Sequence, residues 1–184
     1  MTIRIHEADG TPYEHIVEIR EASQKIDIPY NTKYKRLKRS RKQKERLNAG
    51  GVDPNAEGGD DSLLYCLGDV LQRDEDKEEW GLRDWDADTE AKMDMESYEW
   101  IRVDADFEWL CWKEFPSMAS YMYVSQLQQD KDVVAQQESM LYLQTVPPHP
   151  LVSTFLTRTM MDTRYFHGIR TMAALAIKTH AGPS

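Results

Sequence analysis

Three carboxylates lie close together near the middle of the chain, in the stretch SYEWIRVDADFEWLCW. Asp104, Asp106 and Glu108 are of the types used for general acid–base catalysis or for binding a divalent cation. Either chemistry would need a further partner, and no histidine lies between His15 and His149. Aspartates at this spacing also bond to their own backbone in turns. We therefore interpret DAD as a turn and predict neither a catalytic nor a metal site there.

The amino-terminal histidines do not complete a zinc motif. Zinc peptidases use His-Glu-x-x-His on one helix face, so that both rings reach the metal and the glutamate activates water. The stretch HEADG begins with His6 but has Gly10 at the fifth position, and HIVE, beginning at His15, has no second histidine. We expect His6 and His15 to face each other across a β-hairpin as surface residues. No metal and no cofactor is predicted.

The two cysteines, Cys66 and Cys111, are too few for a disulfide framework. Both stand in apolar stretches, which predicts buried thiols in a reducing compartment. No run approaches the roughly 18 apolar residues that a membrane span needs. We expect an intracellular protein without membrane contact, and not an enzyme.

Charge is distributed unevenly along the chain, whose net charge is -9. Nine of the 23 cations lie between Lys33 and Arg46, where Glu45 is the only acid. Between Asp53 and Asp94, fifteen acids accompany four basic residues. This acidic belt could fold back on the basic run when no partner is bound, an autoinhibitory arrangement; a solvated surface is the simpler interpretation.

The basic run is the candidate nucleic-acid-binding segment, because lysine and arginine bind phosphates without reading base sequence. A solvated loop or a nuclear import signal is the alternative. The run leads into a segment rich in glycine, aspartate and asparagine, so we predict a flexible charged insertion over about residues 38–61. The candidate contacts are Lys35, Arg36, Lys38, Arg39, Arg41, Lys42, Lys44 and Arg46.

Strands are predicted before the insertion and after it. TIRIHE and YEHIVEIR alternate in the way a hairpin requires, and KIDIPY resumes the pattern. SLLYCLGDVL, EEWGLRDW and YEWIRV are further strand candidates, and FEWLCW is either a last strand or the approach to the helices. The acidic pieces at about residues 73–79 and 86–96 are predicted to be loops.

Beyond Trp112 the apolar period changes from about two to about 3.6, which predicts helices. Pro116 suits a first helical turn, while Asp130 ends one helix and Asp132 lies in the first turn of the next. Four helices with short connections suggest HEAT-like antiparallel repeats. The fourth would leave its apolar face uncovered, comprising Ile169, Met172, Ala173, Ala176 and Ile177.

Several long blocks carry a family resemblance. MTIRIHEADGTPYEHIVEIREASQKIDIPYNTKYKRLKR, SLLYCLGDVLQ, SYEWIRVDADFEWLCW, SYMYVSQLQQDKDVVAQQESMLYL and RYFHGIRTMAALAI occur in order. Together they resemble the TBP-associated factor two family, the aminopeptidase-like subunits of general transcription factor TFIID. The resemblance implies an internal slice of a larger subunit, of class α+β. A β-sandwich-like domain with a charged disordered insertion would cover 1–114, and the start of the HEAT-like array 115–184.

The same resemblance implies a function. It predicts a non-catalytic scaffold that contacts the core promoter and supports transcription initiation by RNA polymerase II in the nucleus. Its partners would be other TFIID subunits and core-promoter DNA, with no small-molecule substrate. The alternative is a fragment of an active zinc aminopeptidase whose catalytic domain is missing. A His-Glu-x-x-His motif encoded upstream of Met1 would favour that alternative.

Overall fold

The computed structural model describes residues 1–7, 12–29, 67–96 and 98–180. Within these ranges it contains a small antiparallel sheet and six helices. The strands are β1 (Thr2–His6), β2 (Pro12–Ile16) and β3 (Trp100–Val103). The helices are α1 (Asp74–Trp80), α2 (Ala87–Met95), α3 (Ser120–Gln129), α4 (Val133–Leu143), α5 (Pro150–Met161) and α6 (His167–His180). Throughout the described ranges, every helix is too short or too polar to cross a bilayer.

The sheet has the order β2-β1-β3, and the predicted amino-terminal hairpin is confirmed. In the β1–β2 register, Ile3 pairs with His15 and His6 pairs with Pro12. Side chains alternate between the two faces of a strand, so His6 and His15 lie on opposite faces of the sheet. The expectation that these two histidines face each other was wrong, because the register is set by the whole hairpin.

Two further strand predictions were wrong in the parts that the structure describes, while residues 30 and 62–66 of these segments lie outside the described residues. The described part of KIDIPY, residues 25–29, is irregular and largely exposed. The described end of SLLYCLGDVL is a turn at Leu67 and Gly68, with Gly68 at φ +72°. Leu67 donates its N–H to the carbonyl of Gln128 at 2.7 Å, and Gly68 donates to Asp162 at 2.7 Å. These bonds hold the segment against the helices, where no strand partner is needed.

The acidic segments predicted as loops, about 73–79 and 86–96, are the helices α1 and α2, and EEWGLRDW is not a strand. Acidic side chains stabilise the first turn of a helix because the positive end of the helix dipole lies there, and the first turn of α1 has three of them. Gly81, at φ 62°, ends α1 in the left-handed conformation. The Asp86 carboxylate begins α2 by accepting the N–H of Thr89 at 2.6 Å.

The four helices predicted after residue 115 are present as α3 to α6. The first begins at Ser120 and not at Pro116. Asp130 follows the last residue of α3, and the Asp132 carboxylate caps α4 by accepting the N–H of Val134 at 2.9 Å. Polar side chains that accept the first free N–H groups are favoured where a helix begins, which explains this boundary.

The main core lies among the helices, and α3 packs on α4 as α5 packs on α6. The expected uncovered face of the last helix is largely buried, because α6 also contacts α4. Leu175, on its other side, is 71% exposed. The buried residues of this core are Leu67, Val124, Leu127, Met140, Leu143, Val152, Phe155, Leu156, Tyr165, Ile169, Ala173 and Ala176.

The segment between α1 and α2 is fastened to α5. The backbone N–H of Arg83 donates to the Thr154 hydroxyl at 2.8 Å, and Asp84 lies 3.5 Å from Arg158. The ring of Trp85 packs on Phe155 with centroids 4.9 Å apart. The acidic helices are thereby held on the helical layer, although they were predicted as separate loops.

Candidate protein-interaction site

The predicted nucleic-acid-binding cations lie outside the described residues. The segment 30–66 contains them all: Lys35, Arg36, Lys38, Arg39, Arg41, Lys42, Lys44 and Arg46. The predicted flexible insertion and the Cys66 thiol fall in the same segment. These assignments stay predictions.

The central carboxylates form a turn and an ion pair. Asp104 is only 2% exposed, and its two oxygens accept the backbone N–H groups of Glu108 at 3.0 Å and Trp109 at 3.1 Å. Asp106 pairs with Arg4 at 2.7 Å. The turn prediction is confirmed. Nowhere in the described ranges do three His, Cys, Asp or Glu side chains come together in a way that could hold a metal ion.

A buried polar joint connects the sheet to the helices. It consists of Trp100 and Arg102 from β3, Asp130 and Asp132 from the α3–α4 turn, and His6 from β1. The Trp100 indole donates to Asp130 at 3.1 Å. Arg102, 3% exposed, lies 2.8 Å from Asp132 and 3.9 Å from Asp130. Because residues two apart share a strand face, β3 presents both side chains to the same turn.

His6 completes the joint as a neutral aromatic group. Its ring stacks on Trp100 with centroids 4.1 Å apart and planes 17° apart. Burial, and then the cations of Arg102 and Arg4, lower the pKa of His6 from 6.5 to about 3. Although Nε2 lies 3.7 Å from Asp130, this contact is therefore no ion pair near neutral pH. A ring with so low a pKa is also a weak general base.

Residues 107–112, which we call the aromatic loop, project into solvent after β3. FEWLCW was predicted to be either a last strand or the segment that leads to the helices. The loop forms no strand, so the second interpretation holds. The apolar composition of the loop had predicted that it is buried. The prediction of a buried Cys111 thiol was wrong, because this cysteine is exposed. The exposed fractions are 48% for Phe107, 52% for Trp109, 108% for Leu110 and 88% for Trp112.

Contacts on the sheet side fix the base of the aromatic loop. Asp104 and Phe107 adopt left-handed backbone angles, φ 52° and 55°, which cost energy in residues other than glycine. The Lys113 ammonium donates to the Val103 carbonyl at 3.3 Å and pairs with Glu138 of α4. The cations of Arg102 and Lys113 lie 5.7 and 5.6 Å from the Phe107 ring centroid.

An apolar cleft of about 390 Å³ opens between α2, α3 and the α4–α5 connection. Val124 and Phe155 contribute to its lining, and Asp86 and His149 lie at its polar positions. Both polar groups are occupied in helix capping, because Asp86 accepts from Thr89 and the His149 ring accepts the N–H of Leu151 at 3.2 Å. The cleft offers an apolar contact surface, and its carboxylate and imidazole each serve the first turn of a helix.

Comparison with known proteins identifies the family. The model of the TAF2 Ig-like domain matches residues 1–117. Transcription initiation factor TFIID subunit 2 of Schizosaccharomyces pombe is 52% identical over 187 residues, covering 100% of this chain and 15% of the relative. The Saccharomyces cerevisiae protein of that name is 42% identical over 190 residues, covering 98% and 13%. The Gallus gallus protein of that name is 27% identical over 177 residues, covering 96% and 12%.

The chain thus spans about 15% of the length of its S. pombe relative. The similarity extends through the helices as well as the sheet, since it covers the whole chain. The resemblance predicted from the sequence blocks is confirmed: this chain belongs to the TAF2 Ig-like domain family.

Proposed function

We propose that this chain is a non-catalytic scaffold segment of a TFIID subunit, acting in the nucleus in transcription initiation by RNA polymerase II. The relatives named as TFIID subunit 2 support the assignment to that complex. The observation that carries the scaffold role is the buried polar joint. It fixes the sheet to the helices through a charge pair and an indole hydrogen bond.

The domain organisation proposed with it is a β-sandwich-like domain over residues 1–114, followed by HEAT-like repeats over 115–184. Pairwise packing of α3 with α4, and of α5 with α6, supports repeats of two helices. In such an array each pair is oriented by its neighbour, so the joint would set the direction in which the array starts. Other TFIID subunits are the proposed partners.

The scaffold proposal is tested in the full-length subunit purified with TFIID. The substitution Asp132→Asn weakens the joint, so the recovery of co-purifying subunits should fall at least about threefold when a partner depends on the orientation of the helices. The matched control is Asp106→Asn, which loses only an ion pair whose side chains are 27% and 42% exposed. Equal recovery for the two variants would refute the scaffold role.

The non-catalytic assignment of this chain itself is tested by hydrolysis of aminoacyl anilides, whereas the aminopeptidase alternative is tested by the presence of a His-Glu-x-x-His motif encoded upstream of Met1. The purified chain with added zinc should give the rate of a blank, because the described residues contain no candidate metal group. Turnover that requires stoichiometric zinc would refute the non-catalytic assignment.

We also propose that the basic run contacts promoter DNA through its phosphates. Its composition, nine cations and one acid over residues 33–46, is the supporting observation. Such contacts should be independent of sequence and sensitive to salt. Replacing Lys38, Arg39, Arg41 and Lys42 by alanine should therefore weaken binding to promoter and random duplexes equally.

Fluorescence anisotropy at two salt concentrations measures this effect. The slope of log affinity against log salt should flatten by about 0.9 for each phosphate that the variant no longer neutralises. A control variant replaces four exposed lysines elsewhere, Lys25, Lys92, Lys131 and Lys178. Unchanged affinity in the test variant would refute the DNA contact and leave nuclear import or contact with another subunit as the role of the run. Weaker binding to only one sequence would show that bases are read.

A further inference from the structure

The aromatic loop exposes more apolar surface than an isolated surface residue requires. Leu110 and Trp112 are 108% and 88% exposed, and Phe107 and Trp109 are each about half exposed. With aromatic side chains of about 150–250 Å² each, the loop offers roughly 600 Å² to solvent. The largest apolar patch on a typical monomer covers about 300–600 Å² and is often functional, so the loop lies at the upper end of that range. A standard interface takes about 800 Å² from each partner.

The loop is held in place before any partner arrives. Asp104 and Phe107 keep left-handed backbone angles, and the buried Asp104 carboxylate accepts two loop N–H groups. Strain of this kind, of order 1–3 kcal/mol per residue, persists only where surrounding contacts maintain it. A loop whose backbone is already ordered loses less entropy on binding, as an anchor requires.

Acidic side chains flank the exposed apolar ones. Glu108 and Glu114 are exposed, and Glu114 accepts a hydrogen bond from the Trp112 indole at 3.0 Å. The nearest cation in sequence, Lys113, is turned inward to Val103 and Glu138. A complementary surface would therefore combine an apolar groove with a basic edge. Two copies of this loop would instead bring like charges together, which disfavours a homodimer through it.

We propose that the aromatic loop is a docking anchor for another protein chain, whose apolar groove is edged by lysine or arginine. Trp109, Leu110 and Trp112 would fill the groove, and Glu108 and Glu114 would meet the basic edge. Tryptophan is enriched among residues that dominate binding energy, and a polar surround excludes water from them. The proposal rests on the proposed function only in placing that partner within TFIID.

Site-specific photo-crosslinking in purified TFIID tests this proposal. A photoreactive phenylalanine analogue replaces Leu110 of the full-length subunit, and a matched variant carries it at Leu175, which is 71% exposed on α6. We expect a crosslink from position 110 to one other subunit, at a peptide containing apolar and basic residues, and a different pattern or none from position 175.

Each alternative outcome is decisive. A crosslink from position 110 within the same polypeptide, or to a second copy, overturns the proposal, and so does the absence of any crosslink. If the subunit fails to co-purify with TFIID at all, the proposed function fails instead. The loop is then tested by the same crosslinking on whatever assembly the full-length subunit does enter.

Substitutions at exposed positions provide the second measurement. Leu110→Ser with Trp112→Ala should weaken the crosslinked interaction about tenfold or more, as expected for central anchors. Glu108→Lys should weaken the interaction more at low salt than at high salt, because the new lysine would repel the basic edge of the groove and salt screens that repulsion. Leu175→Ser is the control, and an equal effect from it would attribute the loss to general destabilisation and refute the anchor.

Discussion

Replacing Asp132 with asparagine should lower the free energy of unfolding by about 2–3 kcal/mol. Asp132 lies 2.8 Å from Arg102, which is 3% exposed, and the other carboxylate of the joint is 3.9 Å away. Removing one partner of a buried ion pair costs about 3–5 kcal/mol. Asp132 is itself 36% exposed, so water screens the pair and the expected loss lies at or below that range.

Asparagine keeps the helix cap and so separates the charge from the capping effect. One oxygen of Asp132 accepts the N–H of Val134 and the other faces Arg102. The amide oxygen can retain the first contact, but the amide nitrogen, a donor, would face the guanidinium. The loss therefore reports a buried cation left without its nearest anion.

Arg102→Met provides the matched partner of a double-mutant cycle. It removes the buried cation and leaves Asp132 to water, while the buried Asp130 keeps the Trp100 indole N–H and the backbone N–H of Asp132. The cost should therefore be about 1 kcal/mol. The double variant should then also lose about 1 kcal/mol, which makes it more stable than Asp132→Asn alone. Urea unfolding followed by tryptophan fluorescence measures all four proteins, with an unchanged slope as the two-state check. Additive losses would refute the charge-pair account of the joint.

Substitutions at two other positions test the neighbouring structure. The pKa of His6 is 6.5 when unfolded and about 3 when folded, so between these pH values the unfolded state binds more protons. Stability should therefore fall as the pH is lowered through this range. His6→Gln should reduce the pH dependence of the free energy of unfolding measured in urea, and an identical pH dependence would contradict this account. Asp104→Ala should cost about 2–3 kcal/mol, because two backbone N–H groups lose their acceptor and alanine disfavours the left-handed φ. Asp104→Asn should cost less in thermal unfolding, and the reverse ranking would refute the strained-turn interpretation.

Local patterns predicted those elements whose boundaries depend on nearby residues. The apolar period placed α3 to α6, and Asp130 and Asp132 marked the boundary between α3 and α4, because N–H groups and dipoles act within one turn. Asp132 proved to be the residue before the helix and not a member of its first turn. The acidic helices were missed although their signals were also local: acids in the first turn of α1, Gly81 after it, and Asp86 before α2. Their charge was taken as evidence for solvated loops, whereas α1 and α2 follow an anchored turn and are fastened to α5.

Contacts between distant residues could not be predicted in this way. Arg102 and Asp132 come together only because the sheet register and the α3–α4 turn are both formed. The exposure of the aromatic loop also depends on distant residues. Its six residues are mostly apolar, which predicts burial, and only the surrounding surface shows that nothing in the described structure covers them. The candidate nucleic-acid site depends on charge composition alone, and so it stays a prediction.

The buried joint also affects how strongly one partner could bind to the aromatic loop and the apolar cleft together. The aromatic loop follows β3, the cleft lies beside α3, and the joint connects those two elements. A partner that reached both surfaces would find them at a fixed separation, so its second contact would form at high effective concentration. Loosening the joint would therefore weaken such a bivalent partner while leaving each single contact intact.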